Sequence, residues 1–240
     1  MKRLAPRKNT ARRTEPGRAD ADAARHGILD AAERLFASAG FAATSMREIS
    51  QAAGVAQSLL HYHFGNKEKL FQVMFERRAR QMNDLRLARL AALLEKGSPP
   101  LESLLEVLLR PTVELGRDDR PNPTTYFSRL MLLTALSPEA FSKDLVAAHF
   151  DPFARRMIGA LRDALPGLSP PDAVWGYLFA IGVAMTVMAP TGRANRLSDD
   201  RCDDSDTEAL LAHVIAFAAA GLRQLATGRT PPPKKRPSGR

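Results

Sequence analysis

A shortage of β-branched aliphatic residues restricts the fold of this chain more than any other feature. Valine and isoleucine together supply only 14 of the 240 residues, whereas Ala, Leu, Arg and Glu are abundant. The abundant residues favour helices, and the scarce ones are those that strands prefer. No segment alternates apolar and polar residues for long enough to predict a strand. The sequence therefore predicts an all-α fold.

Glycine, proline and capping residues divide the chain into about nine predicted helices. Gly40 provides a helix stop, and Ser45-x-x-Glu48 has the pattern of a capping box at the next helix start. Ser205-x-x-Glu208 has the same pattern before the last helix. The predicted helices span approximately 19–39, 45–53, 57–62, 67–95, 101–115, 124–136, 138–165, 170–189 and 205–226.

The net charge of +9 is concentrated at the two ends of the chain. Residues 1–18 have a net charge of +6 and residues 226–240 a net charge of +5, which leaves −2 for the remainder. Terminal basic segments of this kind usually bind nucleic acid or acidic surfaces, although a solubilising tail is the alternative at the C-terminus. We expect a basic flexible arm at 1–18 and a basic, Pro-rich tail at 227–240.

Residues 45–62 have the pattern of two short helices joined by a glycine turn, which predicts a helix-turn-helix. An ordinary packed helical pair is the alternative. The inward positions are Ile49, Ala53, Val55 and Leu60. The outward positions are Ser45, Arg47, Gln57, Ser58, His61 and Tyr62. Such polar side chains can reach phosphates and base edges in a major groove.

The segment 28–75 resembles the N-terminal DNA-binding domain of the TetR family of transcriptional regulators. The matching pieces are ILDAAERLF, the Gly40-Phe41 turn, TSMREISQAAGV and HYHFGNKEKL. The resemblance implies a homodimer with a three-helix DNA-binding head at 19–66. It also implies a helical body at 67–226 that binds a small effector and forms the dimer.

The resemblance also implies which residues contact DNA. Those that would contact bases or nearby phosphates are Arg47, Gln57, Ser58 and His61. Those that would contact phosphates are Ser45, Tyr62 and Lys67. Lys67 opens the fourth helix, so we expect its ammonium and the helix N-terminus to point at the same phosphate oxygens. Two positions depart from the family pattern: Ala56 replaces a Ser or Thr N-cap, and His61 replaces a Tyr.

The predicted head has no net positive charge to attract DNA. Residues 19–70 contain five basic side chains against six acidic ones. Such a head gains little from counterion release, so we expect the basic arm at 1–18 to contact phosphates or the minor groove.

Aromatic and methionine residues are concentrated in 126–188, which is consistent with a plain core or with an apolar pocket. The segment from Tyr126 through Phe179 resembles the fatty-acid-responsive branch of the family, which implies an acyl-type effector. The predicted pocket residues are Tyr126, Phe127, Arg129, Met131, Phe150, Phe153, Trp175 and Phe179. Arg129 would pair with Asp144, with Asp151, or with the carboxylate or phosphate of a ligand.

The segment 173–192 contains no charged residue and has the length of a membrane span. Its glycines and Pro190 favour instead a buried helix in the core or a dimer interface. Small residues recur in the last two helices, and the resemblance implies that these helices form a four-helix dimer bundle. The single cysteine, Cys202, and the lack of a secretory leader pattern predict a reducing, cytoplasmic location without membrane attachment.

Enzymatic function is not indicated. The chain has no Gly-rich phosphate loop, G-x-S-x-G elbow or H-E-x-x-H motif, and His61-x-His63 has no third ligand nearby. We therefore expect no catalytic residue, cofactor or metal. The sequence predicts a ligand-responsive repressor that a small apolar or acyl-type effector releases from a palindromic operator. An architectural DNA-binding protein without an effector is the alternative.

Overall fold

The computed structural model describes residues 16–115, 130–131, 134, 140–188 and 190–228. Within these ranges every regular element is a helix, which confirms the predicted all-α fold. The helices with described bounds are α1 (Pro16–Ala43), α2 (Met46–Ala52), α3 (Gln57–Phe64), α4 (Lys67–Leu94), α5 (Leu101–Leu115), α6 (Ala140–Ala164), α7 (Pro170–Val187), α8 (Arg193–Ser198) and α9 (Thr207–Ala226).

Helices α1, α2 and α3 form the head and pack around the first half of α4. Their common core includes Ile28, Ile49, Leu60 and Met74, none of which is exposed. Aromatic rings reinforce this core: the ring centroids of Phe36 and Phe71 are 5.1 Å apart in an edge-to-face arrangement. The head therefore has its own hydrophobic core, and α4 completes it.

The body consists of the second half of α4 with α5, α6, α7 and α9, and it has a second core. Leu104 and Leu108 of α5, Met157 of α6 and Leu211 of α9 are completely or almost completely buried there. Helix α5 contacts α4, α6, α7 and α9, so it is the central helix of the body.

A buried ion-pair cluster joins the head to α4. Glu33 on α1 has no exposed surface, and its carboxylate lies 2.9 Å from Arg78 Nε and 3.3 Å from Arg77 Nη2. Arg77 also pairs with Asp30 at 2.6 Å. Burial raises the pKa of Glu33, and the charges of Arg78 and Arg77 oppose that rise.

Most predicted helix boundaries agree with the structure to within a few residues. Gly40 interrupts the helical geometry with a φ of 83°, but the chain then continues helically to Ala43. The capping box before α2 is confirmed: Ser45 Oγ accepts from Glu48 N at 3.2 Å, and Glu48 Oε2 accepts from Ser45 N at 2.8 Å. The predicted helix at 124–136 lies almost entirely outside the described residues.

The predicted capping box before the last helix is wrong. Asp206, not Ser205, is the N-cap of α9, and its carboxylate accepts from Ala209 N at 3.0 Å. Ser205 donates instead to Asp203, and Glu208 pairs with Arg110 on α5 at 2.6 Å. The short helix α8 was not predicted at all; left-handed residues flank it on both sides.

Within the described ranges one helix, α9, is long and apolar enough to cross a membrane. The sequence had drawn attention instead to 173–192, most of which forms α7. One side of α9 is buried against α5 and α7 through Leu211, Val214 and Leu222. Such packing is expected of a core helix in a globular protein.

The close approach of α7 and α9 depends on Gly176. A Cβ at this position would overlap the side chain of Leu222, which is 2% exposed. Gly159 on α6 is a matched helical glycine with open space around it. We expect Gly176→Ala to be less stable than Gly159→Ala by about 1–3 kcal/mol, the usual range for overpacking.

Urea unfolding of both variants at one protein concentration measures this difference. The helix-propensity gain of Ala over Gly is common to both variants and cancels. Equal free energies of unfolding would show that Leu222 moves aside without cost.

Candidate functional site

Helices α2 and α3 present a polar surface on the head. Gly54, with a φ of 65°, makes the turn between them, and Leu60 and Phe64 are the buried residues of α3. The other face of α3 is therefore open to solvent. Ala56 is the N-cap of α3 and makes no side-chain capping bond, as its apolar side chain requires.

Six of the seven predicted DNA-contacting residues are exposed on this surface: Ser45, Arg47, Gln57, Ser58, His61 and Tyr62. The last four are on α3 at positions i, i+1, i+4 and i+5, so they share one face. Tyr62 is 83% exposed, which is unusual for so large an apolar ring.

Ser45 is already engaged within the head. Its hydroxyl donates to Glu48 Oε2 at 2.7 Å and accepts from Glu48 N. The hydrogen bonds that Ser45 Oγ and Ser45 N donate to the Glu48 carboxylate hold the pKa of Glu48 below its ordinary value. A contact between Ser45 and a phosphate stays a prediction, and it would compete with the capping box.

The orientation of His61 determines which ring nitrogen carries the proton. His61 Nδ1 lies 2.8 Å from the carbonyl oxygen of Gly65, and a carbonyl only accepts. Nδ1 is therefore the donor. In the neutral ring Nε2 is then a hydrogen-bond acceptor, and it lies 3.5 Å from Gln57 Nε2 on the exposed face of α3.

The expectation that Lys67 points its ammonium at phosphates needs correction. Lys67 Nζ donates to the carbonyl oxygens of Phe41 at 2.9 Å, Thr44 at 3.0 Å and Ala42 at 3.4 Å. It also lies 4.5 Å from the centroid of the Phe41 ring. The ammonium thus binds three backbone carbonyl groups in the segment where α1 ends and α2 begins.

The predicted pocket residues are not brought together. Tyr126, Phe127 and Arg129 lie outside the described residues. The other five lie in three separate parts of the structure. Met131 and Phe150 pack in the head-side core, Phe153 in the body core, and Trp175 and Phe179 on the outer surface of α7.

Trp175 and Phe179 therefore do not line an internal pocket. They are 56% and 59% exposed, and their rings stack with centroids 5.8 Å apart. The buried positions of α7 are mostly small residues, such as Ala173, Gly176 and Ala180, which allow neighbouring helices to approach closely. The large rings are consequently on the side that faces away from the body.

These two rings belong to an exposed apolar surface, the α7–α9 face, which contains Trp175, Leu178, Phe179, Val183 and Phe217. Phe217 of α9 is 68% exposed, and Leu178 is 49% exposed. A groove of about 550 Å³ between the two helices is lined by Leu178, Phe179, Val183 and Phe217. Contiguous apolar surface of this kind usually marks an interaction site.

The two acidic candidates for Arg129 both lie on α6. Asp151 lies 3.7 Å from Arg155 on α6, and Asp144 is exposed. Among the described residues, no group of three or more His, Cys, Asp and Glu side chains could hold a metal ion.

An exposed α2–α3 pair on a three-helix head, joined by one long helix to a second helical domain, defines a helix-turn-helix regulator. Comparison with known proteins identifies the family. The model of bacterial regulatory proteins of the tetR family matches residues 28–74, and that of the tetracyclin repressor-like C-terminal domain matches residues 106–221. The chain belongs to the TetR family of transcriptional regulators.

One curated relative and two solved structures illustrate the similarity. The HTH-type transcriptional regulator AcrR of Shigella flexneri is 36% identical over 90 residues, 38% of this chain and 40% of that protein. The match thus spans less than half the length of that relative.

The fatty acid degradation regulator FadR of Bacillus halodurans has a TM-score of 0.60 at 17% identity, over 88% of this chain and 99% of that one. FadR of Bacillus subtilis, solved with stearoyl-CoA, has a TM-score of 0.57 at 17% identity, and the match covers 82% of this chain and 98% of that one. At these identities the two structures establish the fold.

The position of Lys67 generates a stability prediction. The substitution Lys67→Met removes the hydrogen bonds that the ammonium donates to the carbonyl groups of Phe41, Ala42 and Thr44, which should lower the free energy of unfolding by about 1–3 kcal/mol. Lys69→Met is the matched control, because within the described ranges Lys69 Nζ bonds only to Gln72 on its own helix.

Urea unfolding of both variants is the measurement. A phosphate-contacting role for Lys67 predicts the opposite pattern: unchanged stability, and a salt dependence of DNA binding that falls by about 0.9 in log–log slope.

Proposed function

We propose that this protein binds a palindromic DNA operator as a homodimer, represses transcription there, and is released by a small apolar or acyl-type effector. The observation that supports DNA binding most directly is the exposed polar face of α3, where Gln57, Ser58, His61 and Tyr62 are side by side. A recognition helix places such residues against base edges in the major groove.

The α7–α9 face supports dimer formation. Trp175, Phe179 and Phe217 are each more than half exposed in the single chain. A second copy related by a two-fold axis would cover the same face of the first, since such interfaces are self-complementary. Two α7–α9 pairs would then form a four-helix arrangement that holds the two heads at a fixed spacing.

A fixed spacing of the heads explains the palindrome. Each head would read one half-site, and in this class of protein half-sites are separated by about one helical turn, ~34–36 Å, or a multiple. Selection of binding sequences from a random DNA library tests this, because two inverted half-sites must emerge. A single unrepeated half-site would contradict the proposal.

Two observations support release by an effector. A protein of similar fold has been solved with a bound ligand, and α4 belongs to both the head and the body of this chain. The Bacillus subtilis FadR structure holds stearoyl-CoA. In this chain α4 contacts α1 and α3 in the head and α5 and α6 in the body. A ligand that binds more tightly to the DNA-incompetent conformation would therefore shift the heads through α4.

Dimer formation and DNA binding should be lost together in Phe179→Glu. A charge at the centre of the α7–α9 face would remain unpaired in the interface, so the dimer should dissociate. DNA affinity should fall about 100-fold or more because the two half-sites are no longer bound by one particle.

Leu197→Glu is the control, since Leu197 on α8 is 74% exposed but lies outside the α7–α9 face. Sedimentation velocity and DNA titration measure both variants. A dimeric Phe179→Glu would place the interface elsewhere on the molecule.

His61 should select a base that carries an exocyclic amino group. Because Nε2 is an acceptor in the neutral ring, its partner in the major groove must donate, which restricts it to adenine N6 or cytosine N4. Removing that amino group from the selected DNA should weaken binding of the wild type by about fivefold, or ~1 kcal/mol.

The same DNA change should have no effect on His61→Ala, so the four measurements form a double-mutant cycle. Selection of guanine or thymine at this position, or an absence of coupling in the cycle, would contradict the assignment.

A further inference from the structure

Arg86 is a buried cation in the core of the body. It is on α4, is 2% exposed, and lies where α4, α5, α6 and α7 meet. Its Nη2 donates to Thr112 Oγ1 at 2.5 Å and to the carbonyl oxygen of Leu108 at 3.2 Å. Its Cζ lies 5.4 Å from the centroid of the Phe153 ring.

Among the described residues, these contacts leave the charge of Arg86 without an anionic partner. A guanidinium has five N–H donors, and Arg86 Nε is buried without any acceptor. No ion pair links Arg86 to a carboxylate within the part of the chain that the structure describes. The charge that acts on the pKa of Arg86 is that of the Tyr177 phenol, which raises it. Burial lowers its pKa to about 10, so the group is still protonated at neutral pH.

The other buried arginines of α4 show what a structural ion pair looks like in this protein. Arg78 and Arg77 are mostly buried too, but they face the carboxylates of Glu33 and Asp30 at 2.9 and 2.6 Å. A buried charge is stabilised by a partner of this kind and is costly without one. Arg86 has the burial but no carboxylate partner in the described part of the chain, which is the arrangement expected of a group that binds an anionic ligand.

We propose that Arg86 binds the anionic end of the effector, and that this effector is an amphipathic carboxylate, such as a fatty acid. The inference rests on the proposed function, because it assigns the ligand chemistry of the body. The surroundings match such a ligand: Thr112 and Tyr177 are polar groups that interact with Arg86, and Leu108 and Phe153, which also contact it, are apolar. A few polar groups in an apolar enclosure are typical of small-molecule sites.

The position of Arg86 on α4 connects this site to the head. Arg78 is eight residues earlier, about 12 Å along the same helix, where it holds Glu33 of α1. An anion at Arg86 would therefore act directly on the helix that sets the orientation of the head. Arg129, which the sequence suggested as the anion-binding residue, lies outside the described residues.

The test compares dodecanoate with dodecan-1-ol, two probes that differ only in the charged end. Wild-type protein should bind dodecanoate about tenfold or more tightly than the alcohol, since hydrogen bonds to a charged group are the stronger ones. Arg86→Met should bind both probes with similar affinity. Titration calorimetry gives both affinities, and dodecyl phosphate in place of dodecanoate separates a carboxylate site from a phosphate site.

Thermal unfolding separates binding from a structural role. Replacing an unpaired buried charge by an apolar side chain should leave the melting temperature of Arg86→Met equal to or above that of the wild type. Dodecanoate should raise the melting temperature of the wild type and of the control Arg89→Met, an exposed arginine on the same helix, but not that of Arg86→Met.

Three results would overturn the inference: an Arg86→Met variant that still discriminates the two probes, a wild type that binds the acid and the alcohol equally, or a wild type that binds no carboxylate from hexanoate to octadecanoate. DNA binding is measured separately without any probe. If DNA binds but the carboxylates do not, only the ligand assignment fails; if DNA does not bind, the proposed function itself fails.

Discussion

The packing of α4 into two separate cores is the constraint on which the rest of the structure depends. Its first half buries Met74 with the head, and its second half buries Leu90 with the body. The ion pairs between Glu33 and its arginine partners hold α1 against the head end of α4, because a buried carboxylate that loses its partner is strongly destabilising. A helix of 28 residues extends about 42 Å. Small rotations at its body end therefore become large displacements of the head.

Local chemistry made much of this fold predictable. The starts of α2, α4 and α7 depend on Ser45, Asn66 and Ser169, whose side chains accept from backbone N–H groups three residues ahead. Each of these signals involves residues only three positions apart, so it can be read from the sequence alone. At α9 both Ser205 and Asp206 are suitable N-cap residues. The preceding loop decides between them, because the Ser205 hydroxyl donates a hydrogen bond to the Asp203 carboxylate. That contact is not visible in a capping pattern.

The candidate sites were predictable only where periodicity separates an inner from an outer face. Helix α3 has two buried residues one turn apart, so its polar face follows directly. Beyond Asp172 in its first turn, helix α7 has no charged residue and no such period, so nothing in its sequence places Phe179 outside and Tyr177 inside. Lys67 shows a second limit: its acceptors are 23 to 26 residues away, and only the tertiary fold brings them together.

Helix α7 connects the inferred ligand site to the α7–α9 face, which we propose as the dimer interface. Tyr177 is buried on its inner side, where its phenol interacts with the Arg86 charge, and Phe179 is exposed on its outer side. Repacking around a ligand at Arg86 would therefore alter both the angle of α4 and the α7–α9 face. A tenfold loss of DNA affinity requires a coupling free energy of only ~1.4 kcal/mol. Leaving a buried charge unpaired costs several times that, about 3–5 kcal/mol. An anionic ligand that pairs with Arg86 in the DNA-incompetent conformation, and not in the DNA-binding one, would thus supply enough free energy to shift the equilibrium between these conformations.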